Sequence, residues 1–301
     1  MSKILAVCLN PTFQRTFQLP VMDAGEVNRA QGERLDASGK GMNVARVLTQ
    51  LGHEVRQLTH LGPGGDEFVS LCRNDGVEVA WEASDSPVRT CVTLLDAANS
   101  RTTEIVGTAQ PVDEKTVEAV RRRYSLELEW ADRVVISGSK APGYPENLFA
   151  EFCRTAKDLG KPVLADYRGG ELEKSLQEKP SVVKTNLVEF VQTFLPGEAV
   201  SESRDEEVVP KVEEKMKELS GQGVSFVVTR GAREILWAAD GELSRVSPPM
   251  IVPVNTIGSG DATAAGLTHA LDEGKPFGEA VAFAAQCGAE NALQLKPGSL
   301  T

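Results

Sequence analysis

Residues 134–166 read VVISGSKAPGYPENLFAEFCRTAKDLGKPVLAD, and their pattern decides the fold. Val134–Ser137 is a short apolar run rich in β-branched residues, the composition of a strand buried on both faces. Pro145–Leu159 carries apolar residues at helical spacing; Pro145 suits a first helical turn and Gly160 a C-terminal cap. Val163–Asp166 is a second buried strand. A strand, a helix and a strand in succession make a parallel pair with the helix laid over one face.

The same rhythm extends both ways along the chain. Ile4–Leu9, Val182–Lys184 and Phe226–Thr229 read as further buried strands. Gly41–Leu51, Glu67–Asn74, Glu114–Leu128 and Glu206–Leu219 read as amphipathic helices. The alternation predicts a three-layer α/β/α sandwich around a mostly parallel sheet. Two segments break it. Residues 12–38 read as short alternating strands (Thr12–Leu19, Gln31–Asp36) interrupted by Pro20 and Gly25. Residues 88–107 read as a hairpin, Thr90–Leu95 and Thr102–Val106, around an Ala-Asn-Ser turn. These divide the chain into a core (1–11, 39–87 and 108–301) and a small β lid (12–38 and 88–107). So few strands are marginal alone, so the lid is expected to cover a cleft, to pair with a second copy in a homodimer, or both. The charge run Glu202–Glu207 reads as a solvated loop or helix start.

The formal charge of −11 over 301 residues argues against a nucleic-acid partner, which needs an excess of Lys and Arg. It leaves room for a small phosphorylated ligand held by a few cations and backbone amides. No apolar run reaches the roughly 20 residues that span a bilayer, and MSKILAVCLNP reads as a first strand, not a signal peptide. Five scattered cysteines and three separated histidines argue against a disulfide framework or a zinc site. The expected setting is reducing and cytoplasmic.

Three stretches carry chemistry. In Asn255-Thr256-Ile257-Gly258-Ser259-Gly260-Asp261-Ala262, two glycines precede a helix of small residues. The amides of residues 258–261 can then point at one anion, helped by the helix dipole. Asp261 beside that nest suits a base taking a proton from an attacking hydroxyl. It reads equally as a helix N-cap after a Gly-rich turn. In Ser38-Gly39-Lys40-Gly41-Met42-Asn43-Val44-Ala45-Arg46, Gly39 and Gly41 permit close backbone approach, and Lys40 and Asn43 offer donors to sugar oxygens. The bland reading is a turn with Lys40 in solvent. In Lys184-Thr185-Asn186-Leu187-Val188-Glu189, Asn186 and Glu189 either hold Mg²⁺ through water or form a capping box. Thr229-Arg230-Gly231 and Asp166 end strands where ligand crevices open, and Arg29 and Arg89 lie in the lid segments.

The order of these elements resembles the ribokinase-like (PfkB) carbohydrate kinases, in the branch of 1-phosphofructokinase and tagatose-6-phosphate kinase. The resemblance spans nearly the whole chain. It rests on Asn10-Pro11, Gly25-Glu26-Val27-Asn28-Arg29, Ser38–Arg46, Ser137-Gly138-Ser139, Lys184–Glu189, Gly258–Asp261 and Gly288-Ala289-Glu290-Asn291-Ala292. It implies that Asp261 is the catalytic base and that the amides of Gly258, Ser259 and Gly260 form the anion hole. Lys184, Asn186 and Glu189 would then serve ATP phosphates and Mg²⁺. Thr229, Gly231 and Asn291 would line the nucleotide slot. Gly39, Lys40, Asn43 and Ser139 would face the sugar, and Arg29 and Arg89 its existing phosphate. The implied reaction is phosphorylation of a hexose phosphate, fructose 1-phosphate first and tagatose 6-phosphate next. An unphosphorylated sugar or nucleoside, or a non-catalytic sensor of sugar phosphates, are the remaining alternatives.

Four positions depart from the family pattern. Gln14 stands for the usual Asp that accepts from sugar hydroxyls, and Ser38 for a usual Gly. Lys140 replaces an apolar residue, adding a cation expected near the substrate. Glu234 falls where the nucleotide loop carries Gly.

Overall fold

The structure, a computed structural model, describes residues 1–200 and 206–300. In chain order the first half comprises β1 (Lys3–Val7), β2 (Thr12–Leu19), β3 (Gly32–Ser38), α1 (Lys40–Gln50), β4 (Glu54–Leu61), α2 (Gly65–Asn74), β5 (Glu78–Ala83), β6 (Arg89–Asp96), β7 (Arg101–Ile105), α3 (Glu114–Trp130), β8 (Arg133–Ser137) and α4 (Leu148–Asp158). The second half comprises β9 (Val163–Asp166), α5 (Gly170–Leu176), β10 (Val182–Asn186), α6 (Leu187–Phe194), α7 (Val209–Ser220), β11 (Ser225–Arg230), β12 (Arg233–Ala239), β13 (Glu242–Val246), α8 (Ser259–Asp272) and α9 (Phe277–Ala292).

Nine strands form the central sheet in the order β13-β12-β11-β10-β9-β8-β1-β4-β5. The pairs from β11 to β5 are parallel, and β12 and β13 extend the sheet as an antiparallel hairpin. One apolar cluster lies on each face. Tyr124, Phe149, Phe190 and Phe226 belong to one, and Met42, Phe68, Leu267 and Val281 to the other. The three-layer sandwich expected from the sequence is present, with a separate smaller sheet beside it.

Within α4 the chain departs from the expected start. Pro145 precedes the helix, its carbonyl accepting Leu148 N at 3.2 Å in a turn, and Asn147 is the N-cap. Gly160 does terminate it. At φ +67 it donates to Lys157 O (2.9 Å), and Lys161 N reaches back to Ala156 O (2.9 Å), the paired bonds of a left-handed glycine stop. α7 begins at Val209, three residues after the predicted start, and most of the Glu202–Glu207 run lies outside the described residues.

The smaller sheet has the order β3-β2-β6-β7, drawn from segments 12–38 and 88–107. Cross-strand register puts Gln14, Asp36 and Cys91 on one face and Phe17, Leu35, Val92, Leu94 and Ile105 on the other. The first face is tied to the core: Ser38 Oγ donates to Asn43 Oδ1 (3.1 Å), and Lys296 Nζ lies 3.5 Å from Asp36. The second keeps partly exposed apolar residues, with Ile105 56% exposed.

Candidate active site

The functional side chains gather at the carboxyl ends of parallel strands, where crevices of open α/β sheets lie. Asp166 ends β9, Lys184 lies in β10, and Asn186 closes β10 as the cap of α6. The α1 and α8 N-termini arrive from the other side, bringing Lys40, Asn43 and Asp261. Glycines permit this convergence. Gly258 has φ +86, and a Cβ there would overlap the Gly298 amide. A Cβ on Gly41 would overlap Val7 O and Cys8 Cβ, so only glycine lets α1 start against the end of β1.

Asp261 is buried in the first turn of α8 and accepts from Asn43 Nδ2 at 2.8 Å. Burial pushes its carboxyl up to about 6; Asp166 reinforces the shift, while Lys40, the Asn43 hydrogen bond and Lys184 oppose it. A carboxylate held in that range is matched to accepting a proton near neutral pH. The helix N-cap alternative is excluded, because Gly258 is the cap and Asp261 lies within the helix.

A charged network surrounds it. Asp166 is fully buried, accepts from Ser137 Oγ at 2.8 Å, and lies 3.3 Å from Lys184 Nζ and 3.8 Å from Lys40 Nζ. Burial alone would raise its pKa, but the two lysines and Ser137 hold it below the usual carboxylate range. Lys40 Nζ also pairs with Glu189 Oε1 at 2.9 Å. Burial works against its charge, and Asp166, Glu189 and Asp261 outweigh burial, holding it above the ordinary lysine value. Lys40 is therefore not a free surface cation: with 35% of its side chain exposed, it still bridges α1 to β9 and α6. Lys184 Nζ lies against the glycine loop, 2.9 Å from where a Cβ on Gly260 would stand.

The loop amides are not equivalent. Ser259 N turns toward Thr256 O at 3.3 Å, so it is not one of the amides aimed at an anion as expected. Those of Gly258, Gly260 and Asp261 donate to no acceptor among the described residues.

Asn186 and Glu189 form a capping box: Glu189 N donates to Asn186 Oδ1 (2.8 Å) and Asn186 N to Glu189 Oε2 (3.1 Å). With Lys40 on its other oxygen, Glu189 has both oxygens engaged. Among the described residues no three His, Cys, Asp or Glu side chains cluster to ligate a metal. These residues fit a hydrated divalent ion approached through water.

Thr229 and Gly231 line a cavity of about 220 Å³ with Asn186, Leu187 and Val188. Asn291 is not on it. Its side chain is fully buried: Nδ2 donates to Ile257 O (3.0 Å) and Ser259 Oγ (3.1 Å), and Oδ1 accepts Ser299 N (3.0 Å). It holds the glycine loop from behind and does not reach that cavity. Ser139 accepts from Asn10 Nδ2 at 3.1 Å. Gln14 is buried and donates Nε2 to Thr93 Oγ1 at 2.7 Å. Arg89 donates Nη1 to Gly107 O at 3.0 Å, and its Nε is buried without a partner. Arg29 lies in the exposed loop between β2 and β3. Gly39 (φ +107) caps α1 against Cys8 Sγ.

Two departures from the family pattern prove local. Lys140 pairs with Glu171 and lies 5.1 Å over the Phe149 ring, so its ammonium is already engaged by a neighbouring carboxylate and ring. Glu234 lies in β12 and pairs with Arg245 at 3.3 Å. Arg46 and the segment Pro297–Gly298 were given no role by sequence reasoning, yet both touch Asn43. The Pro-Gly pair is the signal that marked a turn there.

Comparison with solved structures agrees with this fold. Phosphofructokinase-2 from Escherichia coli in complex with potassium is 22% identical, with TM-score 0.85, covering 100% of this chain and 96% of that one. The same enzyme in complex with fructose-6-phosphate is 22% identical (TM-score 0.84, coverage 99% and 96%). A possible 1-phosphofructokinase from Thermotoga maritima is 23% identical (TM-score 0.87, coverage 98% and 93%). At these identities the likeness speaks for the fold. The family itself is shown by its model, described as pfkB family carbohydrate kinase, which matches residues 9–300. The chain belongs to the pfkB family of carbohydrate kinases.

Proposed function

We propose that this kinase transfers the γ-phosphoryl group of ATP to a hydroxyl of a hexose phosphate, fructose 1-phosphate giving fructose 1,6-bisphosphate. The observation that carries the reading is the juxtaposition at the start of α8. There the Asp261 carboxyl, raised to about 6, stands beside loop amides that donate to no acceptor among the described residues and within the influence of the Lys184 ammonium. Asp261 takes the proton as the sugar oxygen bonds to the γ-phosphorus. The bond from that phosphorus to the bridging oxygen breaks, and ADP leaves with the electron pair. The amides of Gly258 and Gly260 and the Lys184 ammonium face the charge on the transferring group. Thr229 and Gly231 border the nucleotide. Asn186 and Glu189 are placed to orient a hydrated Mg²⁺, which would neutralise phosphate charge when bound.

On the sugar side, Gly39, Lys40, Asn43, Ser139 and Gln14 face the acceptor. Gln14 has its NH₂ turned to Thr93, leaving Oε1 to accept from a hydroxyl as the usual Asp would. Arg89, with its unpartnered Nε, and Arg29 are assigned to the existing phosphate. The apolar lid face (Phe17, Leu35, Val92, Leu94) fits a second copy of the chain. A dimer that Leu94→Glu splits is expected in sedimentation, and a monomeric wild type removes that part of the proposal.

Asp261→Asn should lower turnover at least ~100-fold with little change in ATP affinity, the low end for general-base catalysis. Near-normal turnover in steady state refutes the base. Fructose 1-phosphate should surpass tagatose 6-phosphate and fructose in kcat/KM, and a reversed order reassigns the acceptor. Arg89→Ala should raise KM at least ~10-fold for the phosphorylated sugar alone, the scale of one lost charge-assisted contact. Equal losses on fructose and fructose 1-phosphate would exclude the phosphate role.

A further inference from the structure

Arg46 sits one helical turn after Asn43 in α1, and no step above uses it. Its side chain is 2% exposed, yet every arm of the guanidinium is occupied. Nε donates to Asp75 Oδ2 (2.8 Å), Nη1 to Pro297 O (2.7 Å) and to Asn43 Oδ1 (3.1 Å), and Nη2 to Ala37 O. One buried cation thus gathers β3, the end of α2, the C-terminal segment and the Asn43 amide.

A guanidinium donates and never accepts. The Asn43 atom facing Nη1 must therefore be the carbonyl oxygen, whose other lone pair takes Ser38 Oγ at 3.1 Å. The NH₂ then has one direction left, and it meets Asp261 Oδ2 at 2.8 Å. We propose that Arg46 is a positioning residue that locks the Asn43 amide with its NH₂ toward Asp261, and so sets how readily that carboxylate takes up a proton. Ser38, where the family pattern has Gly, assists. The proposal rests on Asp261 being the base.

Asp261 is influenced by Lys40 of α1, Lys184 of β10 and Asp166 of β9. Arg46 faces Asp75, which pairs with Lys296; Lys296 lies 3.5 Å from Asp36, and Asp36 pairs with Arg34 at 2.6 Å. Released from Arg46, the amide can turn its oxygen toward Asp261. An acceptor then replaces a donor, and the ionised carboxylate is disfavoured.

The test is the ¹³C carboxyl titration of Asp261, assigned by its loss in Asp261→Asn, in the wild type and in Arg46→Met, Asn43→Ala and the double variant. Arg46→Met should raise the Asp261 midpoint by about one pH unit, the scale of one hydrogen bond to a charged group. The acidic limb of kcat/KM should move with it. In the Asn43→Ala background Arg46→Met should add nothing, because the effect passes through the amide. An unchanged midpoint in Arg46→Met, or an equal shift with and without Asn43, overturns the proposal. If Arg46→Met does not melt cooperatively, Arg46→Lys is read by the same two criteria. The titration needs no turnover, so an active Asp261→Asn enzyme would dismiss the base while leaving this result to stand or fall alone.

Discussion

Asp261→Asn should stabilise the fold at alkaline pH while it removes the chemistry. The side chain is 5% exposed, and burial is the first cause of its rise from 3.8 to about 6. An acid whose folded pKa lies above its unfolded value is still protonated in the native state where the unfolded chain has ionised. The native state therefore binds more protons between about pH 4 and pH 6. Stability falls as pH rises through that window, and the full cost persists above it. A shift of this size corresponds to about 3 kcal/mol at pH 8, and roughly half of that has developed by pH 5. Asparagine has no charge to bury and keeps an oxygen for Asn43 Nδ2. The variant's advantage, by urea unfolding monitored by circular dichroism, should thus grow by roughly 1–2 kcal/mol between pH 5 and pH 8. Asp166, held below its ordinary range, stays ionised in both proteins across the window. A variant-minus-wild-type difference that is flat from pH 5 to pH 8 would show that Asp261 is not held in the environment described.

Two further substitutions probe the supports of the site. Lys184→Met leaves the fully buried Asp166 with the Ser137 hydroxyl and the more distant Lys40 ammonium, 3.8 Å away, so stability should drop by about 3 kcal/mol. Adding Asp166→Asn should recover much of it, and a melt that stays low in the double variant contradicts the pairing. A Cβ on Gly288 would overlap Thr263 Oγ1 and lie 3.1 Å from Ser259 O, pressing α9 on the first turn of α8. Gly288→Ala should cost about 1–3 kcal/mol and lower kcat by displacing the loop; an unperturbed melt and turnover would mean that the two helices yield freely.

Val163–Asp166 was legible as a uniform apolar run and Thr12–Leu19 as an alternating strand stopped by Pro20, and both have the expected bounds. β4 was not. Its sequence EVRQLTHL buries Gln57, Thr59 and His60 inside the central sheet, and His60 is satisfied by Tyr144 OH at 2.9 Å from a distant loop. Polar residues in a central strand look like an edge or a loop until their partners are known. β12 and β13 escaped for a related reason, since REILWAA and ELSRV alternate weakly at the border of the sheet. Among the site residues, Asp261, Lys184 and Lys40 were visible because glycines and strand ends flag them. Asp166 was marked only by ending a strand, although it is the carboxylate that both lysines share. Asn291 looked like a ligand residue because its position in a motif cannot reveal which way its amide faces.

By itself the sequence determined the layered architecture, the segments of the smaller sheet and the glycine loop before α8. Those follow from local periodicity and backbone freedom, which act over a few residues. Only the tertiary structure decided which charges meet: Lys40 with Glu189 across 149 positions, Asn43 with Asp261 across 218, Arg46 with Pro297 across 251. Hydrogen bonds and ion pairs depend on distances of a few ångströms, and chain order does not set those distances. The packing of strands and helices does.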